Sequence, residues 1–154
     1  LGKMYSKVEY EEGYTLVFQG KFEEGLEKLL PLEEKYGDWW NLLFMIGLAY
    51  KNMGEIENAK EYYEKILRMK PQQVDTLVEL ALCEASTLNM NRAIELLEAA
   101  AKLKEDPEIL CNLGMAYLNV GNFDDANYYI ERAYELNPED EVTVACKREL
   151  AKYI

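Results

Sequence analysis

Apolar positions recur along this chain at the three-and-four spacing that lines one face of a helix, and the pattern is interrupted at regular intervals by short polar breaks. The clearest stretch opens at Asp106-Pro107, an N-cap residue followed by a proline at the first helical position, where its missing N–H costs nothing. Leu110, Leu113, Gly114 and Tyr117 then fall on one face, and Asn119-Val120-Gly121-Asn122 ends the helix. A second stripe, Phe123, Ala126, Ile130 and Ala133, follows before Asn137-Pro138, which is expected to start the next helix. The same order appears earlier, with Gly47 and Tyr50, a break at Asn52-Met53-Gly54, a stripe of Ile56, Ala59, Tyr63 and Ile66, and an end at Lys70-Pro71.

The pattern is periodic. Gly47-Leu48-Ala49-Tyr50 and Gly114-Met115-Ala116-Tyr117 stand 67 residues apart, one step of 34 and one of 33. Ala81 holds the glycine's place between them, and Ala59, Ala93 and Ala126 mark the second helices at the same steps. Stepping back by 34 from Gly47 and Ala59 lands on Gly13 and Gly25. Four copies therefore tile 6–39, 40–73, 74–106 and 107–140, each a pair of helices. Two helices approach to about 8–10 Å only where the crossing side chains are short, so Gly47 is expected to meet the helix of Ala59, and Gly114 that of Ala126.

Some positions depart from the repeat. Glu84 stands where the third copy should have its tyrosine, Leu88 where it should have its turn glycine, and Pro31 falls inside a helix that it should kink or end. Residues 141–154 predict a solvating cap helix, acidic at its start and basic toward its end, with Val142, Ala145, Cys146, Leu150, Tyr153 and Ile154 as one apolar stripe.

These residues resemble the tetratricopeptide repeat over roughly 6–140. The family's leucine, glycine, tyrosine, alanine, alanine and proline are met by Leu113, Gly114, Tyr117, Ala126, Ala133 and Pro138, and the second copy meets the pattern with Gly47, Tyr50, Ala59, Tyr63 and Pro71. The resemblance implies an all-α fold, a right-handed superhelical solenoid of antiparallel helix hairpins, whose first helices line a concave groove. Carried over by position, the groove residues are Lys7, Tyr10, Glu11 and Tyr14, then Asn41, Phe44, Met45 and Leu48, then Asp75, Val78, Glu79 and Leu82, and last Glu108, Cys111, Asn112 and Met115.

Members that grip a C-terminal carboxylate need cationic and amide donors at these places. Only Lys7, Asn41 and Asn112 have that chemistry, and Glu11, Asp75, Glu79 and Glu108 oppose it. The remaining set is an apolar floor with an acidic rim, which suits a peptide or amphipathic helix with apolar anchors and basic flanks. Met45 and Met115 would let the floor adapt. The same residues also fit a surface covered by neighbouring helices or by a second copy in a homodimer. Trp39-Trp40, after Gly37-Asp38, is expected to pack at a hairpin junction, with an exposed hot spot as the alternative.

Composition narrows the partners. With 29 acidic and 17 basic side chains the formal net charge is -12, which repels phosphates and anionic lipid headgroups, so neither nucleic acid nor membrane is expected as a partner. The chain contains no histidine, which removes the commonest general base and zinc ligand. Adjacent carboxylates such as Glu11-Glu12 or Asp124-Asp125 lie about 100° apart on a helix and lack a nucleophile or phosphate loop nearby. No enzyme, cofactor or metal is expected. Cys83, Cys111 and Cys146, widely spaced, read as small core residues of a reduced, cytoplasmic compartment. The expected function is a scaffold that binds a partner polypeptide. The alternatives are an oligomerisation module or a regulatory domain of a longer protein, the latter in keeping with a start at Leu1.

Overall fold

The computed structural model describes residues 2–154, with side chains from residue 7 onward. Its regular elements are all helices: α1 (Gly2–Phe18), α2 (Phe22–Tyr36), α3 (Trp40–Asn52), α4 (Ile56–Met69), α5 (Val74–Ser86), α6 (Met90–Leu103), α7 (Pro107–Asn119), α8 (Phe123–Leu136) and α9 (Glu141–Leu150). The chain divides into two compact units, the first ending at Thr76 and the second beginning at Leu77.

In the first unit α1 and α2 form a hairpin, α3 packs on both, and α4 folds back on α3. Val17, Leu26, Leu29, Leu32, Leu42, Met45, Ile46 and Ala49 make its core. In the second, Ala81, Ala93, Leu97, Leu113 and Ala116 bring α5, α6 and α7 together, α7 pairs with α8, and α9 covers both. Each fully buried leucine or isoleucine contributes about 1.5–3 kcal/mol relative to exposure.

The hairpin crossings share one register. A Cβ added at Gly13 would stand 2.5 Å from Leu29 Cδ2, one at Gly47 would stand 2.7 Å from Tyr63 Cε1, and one at Gly114 would stand 2.5 Å from Ile130 Cγ1. The small residue therefore meets a large side chain one turn beyond the alanine, and the glycine is the socket that lets Tyr63 and Ile130 lie flat. Between hairpins the gaps are filled by hydrogen-bonded tyrosines. Tyr62 of α4 donates to Glu33 of α2 at 2.5 Å, and Tyr117 of α7 donates to Glu98 of α6. Burial, then the accepting carboxylate, pushes both phenols up, so they stay protonated donors.

Turn chemistry follows the repeat with one exception. Gly20, Gly54 and Gly121 turn at φ near +80°, and Leu88, at the equivalent position, has φ +65° with its side chain almost wholly exposed. The missing glycine has not changed the turn. Glu84, which replaces the tyrosine, is 3% exposed and accepts from Asn89 Nδ2 at 2.8 Å, with Arg92 Nη1 at 3.6 Å, so this carboxylate ties the turn to the start of α6.

Three expectations are corrected. Pro31 does not end α2, which continues to Tyr36; its ring faces solvent, where the carbonyl of Glu27 left without an N–H partner can bond to water. Pro138 lies in a loop and α9 starts at Glu141, because Asp140 is the residue placed to cap it, accepting from Thr143 N at 2.9 Å. The cap helix also buries a different stripe and ends at Leu150. Thr143 and Leu150 are buried and Cys146 is half-buried, whereas Val142, Ala145, Tyr153 and Ile154 are exposed. Thr143 can be buried because its hydroxyl donates to Asp140 Oδ2 at 2.8 Å.

Candidate functional site

Helix α1 places Tyr10, Tyr14 and Phe18 four residues apart, one above the next on a single face. Helix α3 places Asn41, Phe44, Met45, Leu48 and Asn52 on one face at three-and-four spacing. Both stripes front one cavity of about 490 Å³, closed by Trp40, Val17, Gly20 and Phe22. Its wall is mostly carbon.

The aromatic rings are ordered by mutual contact. Tyr14 stacks on Phe18 with centroids 5.3 Å apart, and Trp40 meets Phe44 edge-on at 6.1 Å. Phe44 in turn leans on Tyr63, at 5.8 Å. Tyr10 packs on Trp39 at 4.4 Å, and burial followed by the neighbouring Tyr14 raises its phenol, which stays neutral at physiological pH. Phe18 is 77% exposed, a large apolar surface in water at the cavity's edge. One polar atom stands out: Asn41 Oδ1 is buried and accepts no hydrogen bond among the described residues. An unsatisfied buried acceptor costs about 1–3 kcal/mol. Asn52 Nδ2, at the far end, is already committed to Leu48 O at 2.8 Å.

The structure thus gathers Tyr10, Tyr14, Asn41, Phe44, Met45 and Leu48 around one space. Met45 is only 6% exposed and belongs chiefly to the core, which limits the adaptability expected of it. Lys7 and Glu11 lie exposed on α1. Asp75 is exposed near the start of α5. In the second unit Leu82 is exposed, Val78 and Glu79 are half-buried on α5, Glu108 is exposed on α7, and Asn112 and Met115 are half-buried there. Cys111 is not a groove residue: at 1% exposure it lies beneath α9.

Sequence reasoning missed Phe18, Phe22 and Asn52. Phe18 follows Tyr14 by four residues and was readable from that spacing, but the position is outside the family's groove set. The two tryptophans divide the roles between them, Trp39 packing against Tyr10 and Trp40 lining the cavity. A second cleft, between α2 and α4, is lined by Glu33, Glu57, Lys60, Glu61, Lys65 and Arg68, and its charges are drawn into local pairs such as Lys65 with Glu33 at 3.6 Å. Among the described residues no group of three or more Cys, Asp or Glu is arranged to hold a metal ion, and no helix is long and apolar enough to cross a membrane.

Comparison with known proteins agrees with this architecture. A tetratricopeptide repeat profile matches residues 41–73, and a second tetratricopeptide repeat profile matches residues 107–140. Photosystem I assembly protein Ycf3 from Prochlorococcus marinus (strain NATL2A) is 31% identical over 127 residues, covering 75% of this chain and 73% of that protein. BBSome complex member BBS4 from Bos taurus is 29% identical over 110 residues, 71% of this chain and 21% of that protein. Among solved structures, MamA superposes with a TM-score of 0.80 at 20% identity, covering 96% of this chain and 81% of that one. TTC0263, a thermophilic TPR protein of Thermus thermophilus, superposes at 0.75 and 21% identity, covering 96% and 80%. These two establish the all-α helical repeat fold. The chain belongs to the tetratricopeptide repeat family. Its class is the protein-interaction scaffold, whose members are generally non-catalytic and whose partners are proteins.

Proposed function

We propose that the aromatic cavity of the first unit is the docking site for a segment of a partner protein, which inserts an apolar anchor between α1 and α3 and carries basic residues on either side. The observation that carries this reading is an apolar cavity walled by aromatic side chains of α1 and α3, with the largely exposed Phe18 at its edge. A peptide supplies the complement, an apolar side chain that fills such a cavity. Exposed acids on α1 and the net charge of -12 favour basic flanks and speed their approach. In the second unit we assign the equivalent role to Val78, Glu79 and Leu82 on α5 and to Glu108, Asn112 and Met115 on α7.

We keep the division into four repeats and a cap as the working description of the chain, and the cytoplasm as its compartment. Ycf3 bears the name of an assembly protein, and BBS4 that of a complex member. Both support a role in holding a partner within or on the way to a complex.

The test uses the wild-type chain and a Phe44→Ala, Leu48→Ala, Leu82→Ala variant as baits, with circular dichroism to show that both are folded. Partners recovered by the wild type are expected to be lost with the variant. Recovery of the same set with both would rule out these surfaces. Light scattering separates the self-association reading, which requires a dimer that the triple variant weakens.

A further inference from the structure

Cys111 of α7 packs with Leu110 and Ala133 in the core of the second unit, and Cys146 of α9 packs against that same cluster. The Cys111 Sγ lies 3.4 Å from Thr143 Oγ1. Thr143 and Cys146 are one turn apart on the buried stripe of α9, so the position that brings Thr143 to Cys111 brings the Cys146 thiol there as well. Cys83, on α5, lies outside this cluster.

We infer that Cys111 and Cys146 are a two-electron redox pair, which a peroxide closes into a disulfide tying α9 to α7 and a small-molecule thiol reopens.

The roles of the two sulfurs follow from their surroundings. The adjacent Cys146 holds the Cys111 thiol down at about 7 in spite of burial, while the adjacent Cys111, with burial, pushes Cys146 up. Near neutral pH Cys111 is therefore the more readily ionised of the two sulfurs, and Cys146 keeps its proton. The Cys111 sulfur attacks one peroxide oxygen; the O–O bond breaks, hydroxide leaves and is protonated to water, and Cys111 becomes a sulfenic acid. The Cys146 sulfur then attacks the sulfenic sulfur, its proton leaving with the hydroxyl as a second water. Two thiols are oxidised and one peroxide is reduced. Thiol–disulfide exchange with the reductant reverses the bridge. The peroxide is close to water in size, and α9 has only its inner face covered, so local opening of that helix admits it.

The full chain is treated with hydrogen peroxide, denatured, alkylated and mapped by mass spectrometry. The expected product has lost two hydrogen atoms, contains a Cys111–Cys146 linked peptide within one chain, and leaves Cys83 alkylated; dithiothreitol restores it. The oxidised protein should melt roughly 5–10 °C higher, as expected for closing a loop of about 35 residues. A Cys83→Ala variant should give the same bridge. In Cys146→Ser, dimedone should label Cys111 as its trapped sulfenic acid. Bridges between chains, a bridge that includes Cys83, or over-oxidation of Cys146 without cross-linking would each overturn the pairing. Dimedone labelling of Cys146 in a Cys111→Ser variant, with none of Cys111 in Cys146→Ser, would overturn the assignment of the attacking sulfur.

Discussion

Leu88 is held at φ +65°, a backbone conformation that costs a side chain with a Cβ about 1–2 kcal/mol, while almost none of its apolar surface is covered. Its neighbours maintain the turn: Asn89 N bonds to Glu84 O at 2.8 Å, and the Asn89 side chain to the Glu84 carboxylate. Leu88→Gly is therefore expected to stabilise the chain by about 1 kcal/mol, after allowance for the extra freedom of the unfolded glycine, and Leu88→Ala is expected not to. Thermal melts of the two variants decide it, and equal melting points would remove the strain argument. The substitution at Leu88 was visible in the sequence because the period marks where the glycine belongs. What replaced the tyrosine contact was not visible, since the bonds from Glu84 to Asn89 and Arg92 are made by residues outside the repeat pattern. The depth at which Cys111 lies was hidden for a related reason: it depends on α9, an element after the last repeat.

At the scale of the element, periodicity marked the glycines whose register with Leu29, Tyr63 and Ile130 sets the hairpin crossings. It failed where a cap or a covered polar group decided the outcome. In α9 the apolar count favoured a stripe through Val142 and Ala145, yet Asp140 fixes where the helix begins and satisfies the Thr143 hydroxyl, so the face of Thr143, Cys146 and Leu150 turns inward. Leu150→Ala should accordingly cost about 2–4 kcal/mol, and Val142→Lys less than about 0.5 kcal/mol. Chemical denaturation of the two variants tests the assignment, and the reverse order of costs would restore the stripe read from the sequence. Pro31 teaches the same lesson in α2. A proline is tolerated inside a helix when its missing bond falls on the solvent side.

For the molecule as a whole, the family and the helical repeat were legible because both rest on spacing, which survives wide sequence change. The cavity was legible in part. Six of its lining residues follow from family positions on α1 and α3, whereas Phe18 and Phe22 enter from the end of α1 and the start of α2 and Asn52 from the end of α3, positions outside the family's groove set. The charge of -12 adds a long-range preference for basic partners that no single residue carries, so the affinity for a basic peptide should fall as salt rises. The central claim is that this cavity receives an apolar anchor flanked by basic residues, and Trp40 in its wall reports on it. In a Trp39→Phe background Trp40 is the remaining tryptophan, and its fluorescence can be followed during titration with leucine- or phenylalanine-anchored peptides carrying either lysine or glutamate flanks. The lysine-flanked peptides should give a saturable blue shift that Phe44→Ala weakens roughly tenfold or more, with the glutamate-flanked set much weaker. Equal binding of both sets, or binding indifferent to Phe44→Ala, would contradict the account.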